Sequence, residues 1–94
     1  MAIGKRISVR NMESSAGNPV SNQFIIMFDN YESFQSYETI IGVIDRSTGR
    51  IVLDDSAWDY SRTTSKYRNM WLGLDSKAVK EKIESGEITL AELN

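Results

Sequence analysis

Three aspartates lie close to two large aromatic side chains in the middle of the chain. Asp54, Asp55 and Asp59 flank Trp58 and Tyr60, where a strand is expected to lead into a helix. Paired carboxylates act as general acid and base or bind divalent cations through hard oxygen ligands. Their spacing matches no calcium-loop or two-metal motif, so a solvated turn is the commoner explanation.

The residue types needed for most other catalytic chemistry are missing from the sequence. With no cysteine and no histidine, the chain lacks disulfides, the commonest metal ligand and a side chain that titrates near neutral pH. A nucleophilic mechanism would then need a serine–lysine pair or a carboxylate, and the serines and lysines follow no recognisable spacing. We therefore predict that the chain is not an enzyme and needs no cofactor.

The same five residues suit protein binding better than catalysis. Tyrosine and tryptophan are over-represented among binding hot spots, and acids at the rim would steer a basic partner. We predict that a protein partner contacts Asp54, Asp55, Trp58, Asp59 and Tyr60. The alternative is that Trp58 and Tyr60 fill the core between sheet and helix, and both hold if one ring points inward and the other outward.

A second binding hypothesis rests on the basic residues Arg62, Lys66 and Arg68 in the first predicted helix. With tyrosines available for stacking, they would form a groove for single-stranded nucleic acid. A charged, solvent-facing helix side is the commoner explanation of such a pattern. The net charge of −2 is also far from the basic balance of a dedicated nucleic-acid binder.

A hairpin is the best-defined element that positions these residues. Arg46 to Gly49 forms a four-residue loop in which Gly49 can adopt a positive φ. This loop predicts the cross-strand pairs Asp45–Arg50, Ile44–Ile51 and Val43–Val52. Opposite charges and β-branched neighbours both favour this register.

Two short helices are predicted after the hairpin. Tyr67, Met70, Trp71 and Leu74 follow the i, i+3, i+4, i+7 spacing of one apolar stripe. Ser61 or Thr63 would cap the start of this helix, and Gly73 would end it. A second helix runs from the N-cap Asp75 through Ser85 to Gly86, with Val79 and Ile83 inward. Residues 88–90 form either a short strand, which is preferred, or a helical turn capped through Thr89 and Glu92.

Further strands are predicted at residues 3–9, 24–28 and 34–44. Together these elements indicate a single α+β domain over residues 1–94: a small curved antiparallel sheet of four to five strands packed with two short C-terminal helices.

The apolar residues of the predicted strands point to both faces of the sheet. Phe24, Ile26 and Phe28 point to one face, while Ile25 and Met27 point to the other. Both faces therefore need cover, and two short helices cover only one. The N-terminal segment or strong curling of the sheet would cover the second face. The alternative is that a partner or a second copy of the chain covers it, so monomer and homodimer both remain open.

No membrane association is expected. The N-terminal charges have no apolar core behind them, which argues against a signal peptide. No stretch approaches the roughly 18 apolar residues of a membrane-spanning helix. We therefore expect a cytoplasmic location.

Four stretches carry a resemblance to known proteins: Asn18–Phe24, Phe34–Tyr37, Trp58–Ser61 and Lys66–Asn69. From Asn18 to Asn94 the chain resembles small proteins of unknown function encoded by phages and plasmids of Gram-positive bacteria. The family has no activity to carry over, so the resemblance implies no catalytic residue. It implies a context, because small accessory proteins of mobile elements often bind and redirect host machinery, including restriction and CRISPR nucleases.

The first functional hypothesis is thus a mobile-element accessory protein that binds a host protein, such as an anti-CRISPR-like inhibitor of a defence nuclease. The second is a weak single-stranded nucleic-acid-binding protein. The third is a metal-assisted hydrolase that uses Asp54, Asp55 and Asp59.

Overall fold

A computed structural model describes residues 7–94 of the chain. It shows a sheet of six strands and two helices, which confirms the α+β class with one strand more than the upper predicted number. The elements are β1 (Ile7–Glu13), β2 (Pro19–Phe28), β3 (Tyr31–Ser36), β4 (Thr39–Asp45), β5 (Arg50–Asp54), α1 (Arg62–Leu72), α2 (Ser76–Ser85) and β6 (Ile88–Ala91). The part of the predicted first strand before Ile7 lies outside the described residues.

The strands lie side by side in chain order, and every neighbouring pair is antiparallel except β5 and β6. A parallel pair cannot be joined by a tight turn and needs a crossover connection. Both helices lie in that crossover. Within residues 7–94, neither helix is long and apolar enough to cross a membrane.

The β4–β5 hairpin has the predicted register. Asp45 lies opposite Arg50, and Ile44 and Val43 face Ile51 and Val52. Gly49 adopts a φ of 78°, and its amide donates to the Asp45 carbonyl over 2.7 Å. The positive φ is the reason glycine suits this position.

The predicted strand over residues 34–44 is divided into two strands by a tight turn. Tyr37, with a φ of 55°, and Glu38 form the turn. The amide of Tyr37 donates to the Asn22 carbonyl over 2.6 Å, and the Gln35 side chain donates to the Tyr37 carbonyl over 2.7 Å. No glycine, proline or asparagine occupies the turn, so the usual sequence signal is missing.

Both helices begin and end at the predicted residues. Ser61 Oγ accepts from the Thr64 amide over 3.1 Å, and Asp75 Oδ1 accepts from the Ala78 amide over 2.8 Å. Gly73 ends α1 in the left-handed region. These caps satisfy backbone groups that a helix terminus leaves without intrahelical partners.

The apolar stripe predicted for α1 is partly wrong. Its buried residues are Thr64, Tyr67 and Arg68, whereas Met70 is exposed. Trp71, partly buried, lies one turn beyond Tyr67 and Arg68. The side of α1 that faces the protein is therefore rotated from the predicted one and contains an arginine.

Trp71 packs so close to the sheet that the residue beneath it must be a glycine. A Cβ atom at Gly42 would lie 2.9 Å from Trp71 Cζ3 and 2.6 Å from Leu53 Cδ2. The Trp71 ring lies 5.7 Å from that of Phe34, and its Nε1 donates to Glu32 Oε2 over 2.7 Å. The helices thus pack on the face of the sheet that carries Phe34, Gly42 and Leu53.

Candidate functional site

The acidic segment, residues 54–61, connects β5 to α1, and Asp54 fixes its start. Asp54 Oδ2 accepts from the amides of Ser56 and Ala57 over 3.2 and 2.9 Å, and its Oδ1 accepts from the Leu93 amide over 2.8 Å. The hydrogen bond from Leu93 is the main cause that lowers the pKa of Asp54, against the opposing effect of burial. Because Asp54 is buried, it does not face a partner as predicted.

Arg68 fixes the other end of the acidic segment. Its Nη1 donates to the Trp58 carbonyl over 2.6 Å and to Asp59 Oδ1 over 3.2 Å. Nη2 donates to Asn69 Oδ1 and Ser76 Oγ over 2.8 and 3.2 Å. The side chain is fully buried, so it cannot reach a nucleic acid as the second hypothesis requires.

The two aromatic residues of the acidic segment lie in different environments. Trp58 is partly buried, packs against the core cluster that contains Leu53 and Val79, and lies 5.4 Å from the Arg68 guanidinium. Tyr60 is 53% exposed. One ring therefore points inward and the other outward.

Asp59 is exposed but held in place by neighbouring side chains. Its Oδ1 accepts from Ser65 Oγ over 2.7 Å and from Arg68. The hydrogen bond from Ser65, followed by that from Arg68, lowers the pKa of Asp59. Asp55 is exposed as well, so Asp55, Asp59 and Tyr60 are the predicted contact residues that lie on the surface.

The three aspartates of the acidic segment do not form a cation site. Asp54 points to backbone amides, and Asp59 pairs with Arg68. Among residues 7–94, no three acidic side chains are grouped so that they could hold a metal ion. This geometry removes the main support for a metal-assisted hydrolase.

The basic surface of α1 is smaller than predicted. Arg62 and Lys66 are exposed, and Lys66 Nζ lies 5.3 Å from the centre of the Tyr67 ring. With Arg68 buried, two of the three predicted bases remain available to a phosphate backbone.

The side of the sheet that faces away from the helices, here called the open face, contains none of the predicted site residues, although its cover by a partner or a second copy was one of the two alternatives. Its first row crosses the strands through Ile7, Phe28, Tyr31, Asp45 and Arg50. Its middle row crosses through Val9, Ile26, Ser33, Val43, Val52 and Thr89. Its third row crosses through Asn11, Phe24, Gln35 and Ile40.

The open face exposes large apolar side chains next to one another. Ile7 and Val9 are 64% and 60% exposed, and Phe28 and Tyr31 are each 45% exposed. The middle-row residues Ile26, Val43 and Val52 remain partly exposed as well. Contiguous apolar surface of this kind is typical of interaction sites. The sequence signal for the open face was the presence of apolar residues on both faces of the predicted strands.

A family model described as a family of unknown function (DUF8033) matches residues 7–88 of the chain. No curated protein and no solved structure matches the chain. The family match covers most of the chain and carries no activity, substrate or partner.

Proposed function

The chain belongs to the DUF8033 family, whose function is unknown, and from its own geometry we propose that it is a protein-binding module rather than an enzyme. One observation carries this proposal. The acidic segment presents Tyr60, Asp55 and Asp59 on a backbone that two buried side chains, Asp54 and Arg68, hold from within.

The rigidity of the acidic segment favours binding. Asp54 accepts from the amides of Ser56 and Ala57, and Arg68 donates to the Trp58 carbonyl. A segment that is already fixed loses little conformational entropy when it binds, so more of the contact energy appears as affinity.

The chemistry of the segment selects a basic partner. The lowered pKa of Asp59 keeps its carboxylate ionised at neutral pH, and an exposed tyrosine ring accepts the guanidinium of an arginine over its face. Complementary charge would speed association and disfavour acidic partners.

This chemistry agrees with the narrower hypothesis of a mobile-element inhibitor of a host defence nuclease. Nucleases bind the phosphate backbone with lysine and arginine, so their substrate channels are surfaces that an acidic, aromatic segment fits. The phage or plasmid context of this hypothesis rests on the sequence resemblance.

The test is affinity capture from a host lysate with the tagged 94-residue chain, with and without nuclease treatment. The Tyr60→Ala/Asp55→Lys variant changes exposed side chains only. Tyr31→Ala is the matched control, because it removes an exposed tyrosine from the open face. We expect a stoichiometric, nuclease-resistant protein with the unmodified chain and the control, and its loss from the double variant.

Two results would contradict the proposal. If the double variant captures the partner as well as the unmodified chain, the acidic segment is not the binding surface. If nuclease treatment abolishes capture, the chain binds nucleic acid.

The second candidate function, binding of single-stranded nucleic acid, is supported by the exposed Arg62 and Lys66 on α1. It predicts binding that weakens steeply with salt, because neutralising phosphates releases counterions. Full binding by the Arg62→Glu/Lys66→Glu variant in a filter or anisotropy assay would eliminate it.

A further inference from the structure

We propose that the open face packs against the open face of a second copy of the chain, giving a two-fold symmetric dimer with the two sheets face to face. This inference is independent of the acidic segment. It supplies cover for the apolar side of the strands that the helices leave open.

The charge of the open face favours a second copy over a charged partner. The middle row, from Val9 to Thr89, contains no charged residue. In the first row, Asp45 and Arg50 lie opposite each other and their charges cancel. Two identical faces therefore meet without net repulsion, and a basic or acidic partner gains no attraction here.

The size of the open face reaches that of a specific interface. The three rows contain fifteen positions, and each position occupies about 4.8 Å between strands by about 6.8 Å along a strand. Each copy would contribute about 490 Å², or about 1,000 Å² for the pair, the size that a specific interface needs. Sheets with apolar inner faces pack in this way in β-sandwiches, about 10 Å apart.

A second copy supplies a surface of the same size and polarity as the open face, and a two-fold interface requires a surface that matches itself in this way.

Sedimentation equilibrium of the full chain over a wide concentration range tests the proposal. We expect the unmodified chain to reach the dimer mass. Val43→Lys should weaken dimerisation about 100-fold, since it buries an unpaired ammonium group at the middle row of each copy. Tyr60→Ala, outside the open face, should leave the dimer unchanged.

Val9→Lys guards against the chance that Val43→Lys fails to fold. Val9 is 60% exposed, so the change is tolerated in the single chain, and circular dichroism confirms folding of each variant. An unmodified chain that stays monomeric at every concentration would overturn the proposal. So would a dimer that persists with full affinity in both lysine variants, because it would use another surface.

Failure of the dimer leaves the proposed function standing, because sedimentation reports mass whereas lysate capture reports the partner of the acidic segment. Conversely, loss of the partner in the Tyr60→Ala/Asp55→Lys variant with an intact dimer would separate the two surfaces.

Discussion

The two sides of one sheet differ in how they are built. On the helix side, Phe34, Ile41 and Leu53 are fully buried beneath α1, α2 and their connections. On the open side, Phe28 is about half exposed and Val9 is 60% exposed. The amino-acid types are similar, so hydrophobicity alone does not decide which side is covered.

The topology of the chain decides which side of the sheet is covered. The antiparallel strands β1 to β5 are joined by turns that are too short to cover either face of the sheet. The only long connection among the described strands is the β5–β6 crossover. A crossover between neighbouring parallel strands places its helices on one side of the sheet. The other side keeps an apolar surface that single-chain packing of residues 7–94 does not bury.

The largest expected difference between the two sides comes from a matched pair of phenylalanines. Phe34→Ala should destabilise the fold by about 3–5 kcal/mol, because it empties a fully buried site against Trp71. Phe28→Ala should cost about 1 kcal/mol or less, since its ring is already half exposed. Denaturant unfolding measures both, at a protein concentration where the chain is monomeric.

The same two substitutions should have the opposite order of effect on self-association. Phe28→Ala should shift the sedimentation equilibrium towards monomer, and its folding cost should rise with protein concentration in the unmodified background. Equal folding costs for Phe28→Ala and Phe34→Ala in the monomer would refute the contrast between the two sides.

Substitutions that add volume on each side of the sheet should show the same contrast in stability, with a smaller effect. Gly42→Ala should cost about 2–3 kcal/mol, since the new Cβ atom would meet Leu53 and Trp71 at less than 3.0 Å. Ser33→Val adds volume on the open side, where no helix lies above it, and should change monomer stability by less than about 0.5 kcal/mol. Thermal unfolding of both variants measures this, and a tolerated Gly42→Ala would show that Trp71 moves freely.

Local chemistry explains which parts of the fold could be predicted. The β4–β5 hairpin and both helix boundaries follow from short-range signals, namely Gly49 in the loop and the caps Ser61, Gly73 and Asp75. These residues act on backbone a few positions away, so their effect does not depend on the rest of the fold.

Tertiary contacts explain what could not be predicted. Arg68 looks like a solvent-facing helix residue, and it is buried because acceptors from the β5–α1 connection and from α2 surround it. The turn at Tyr37 is stabilised by the carbonyl of Asn22, on another strand. The sequence located the segment that contains the exposed Asp55, Asp59 and Tyr60. It did not predict that the Asp54 side chain points inward, because that direction depends on a hydrogen bond from Leu93, far along the chain.

A third expected effect, smaller than those of Phe34→Ala and Gly42→Ala, concerns the attachment of the helix layer to the sheet. The Asp54 carboxylate binds the amides of Ser56 and Ala57, where the chain leaves the sheet for α1. Asp54→Asn keeps one acceptor oxygen and replaces the other with an NH₂ group, which would face a backbone N–H donor. The change should therefore lower the free energy of unfolding by about 1–2 kcal/mol at neutral pH.

The acid dependence of this attachment has a definite sign. Because the folded state lowers the pKa of Asp54, its contribution is complete above the unfolded pKa of about 3.9 and is lost as the pH falls through the lower folded value. The unmodified chain should thus lose more stability below about pH 4 than Asp54→Asn does. Hydrogen exchange should show the loss first in α1 and its connection to β5, while β1 and β2 stay protected. Identical acid titrations of the two proteins would mean that Asp59 or Asp45, whose pKa values are also lowered, carry the acid sensitivity instead.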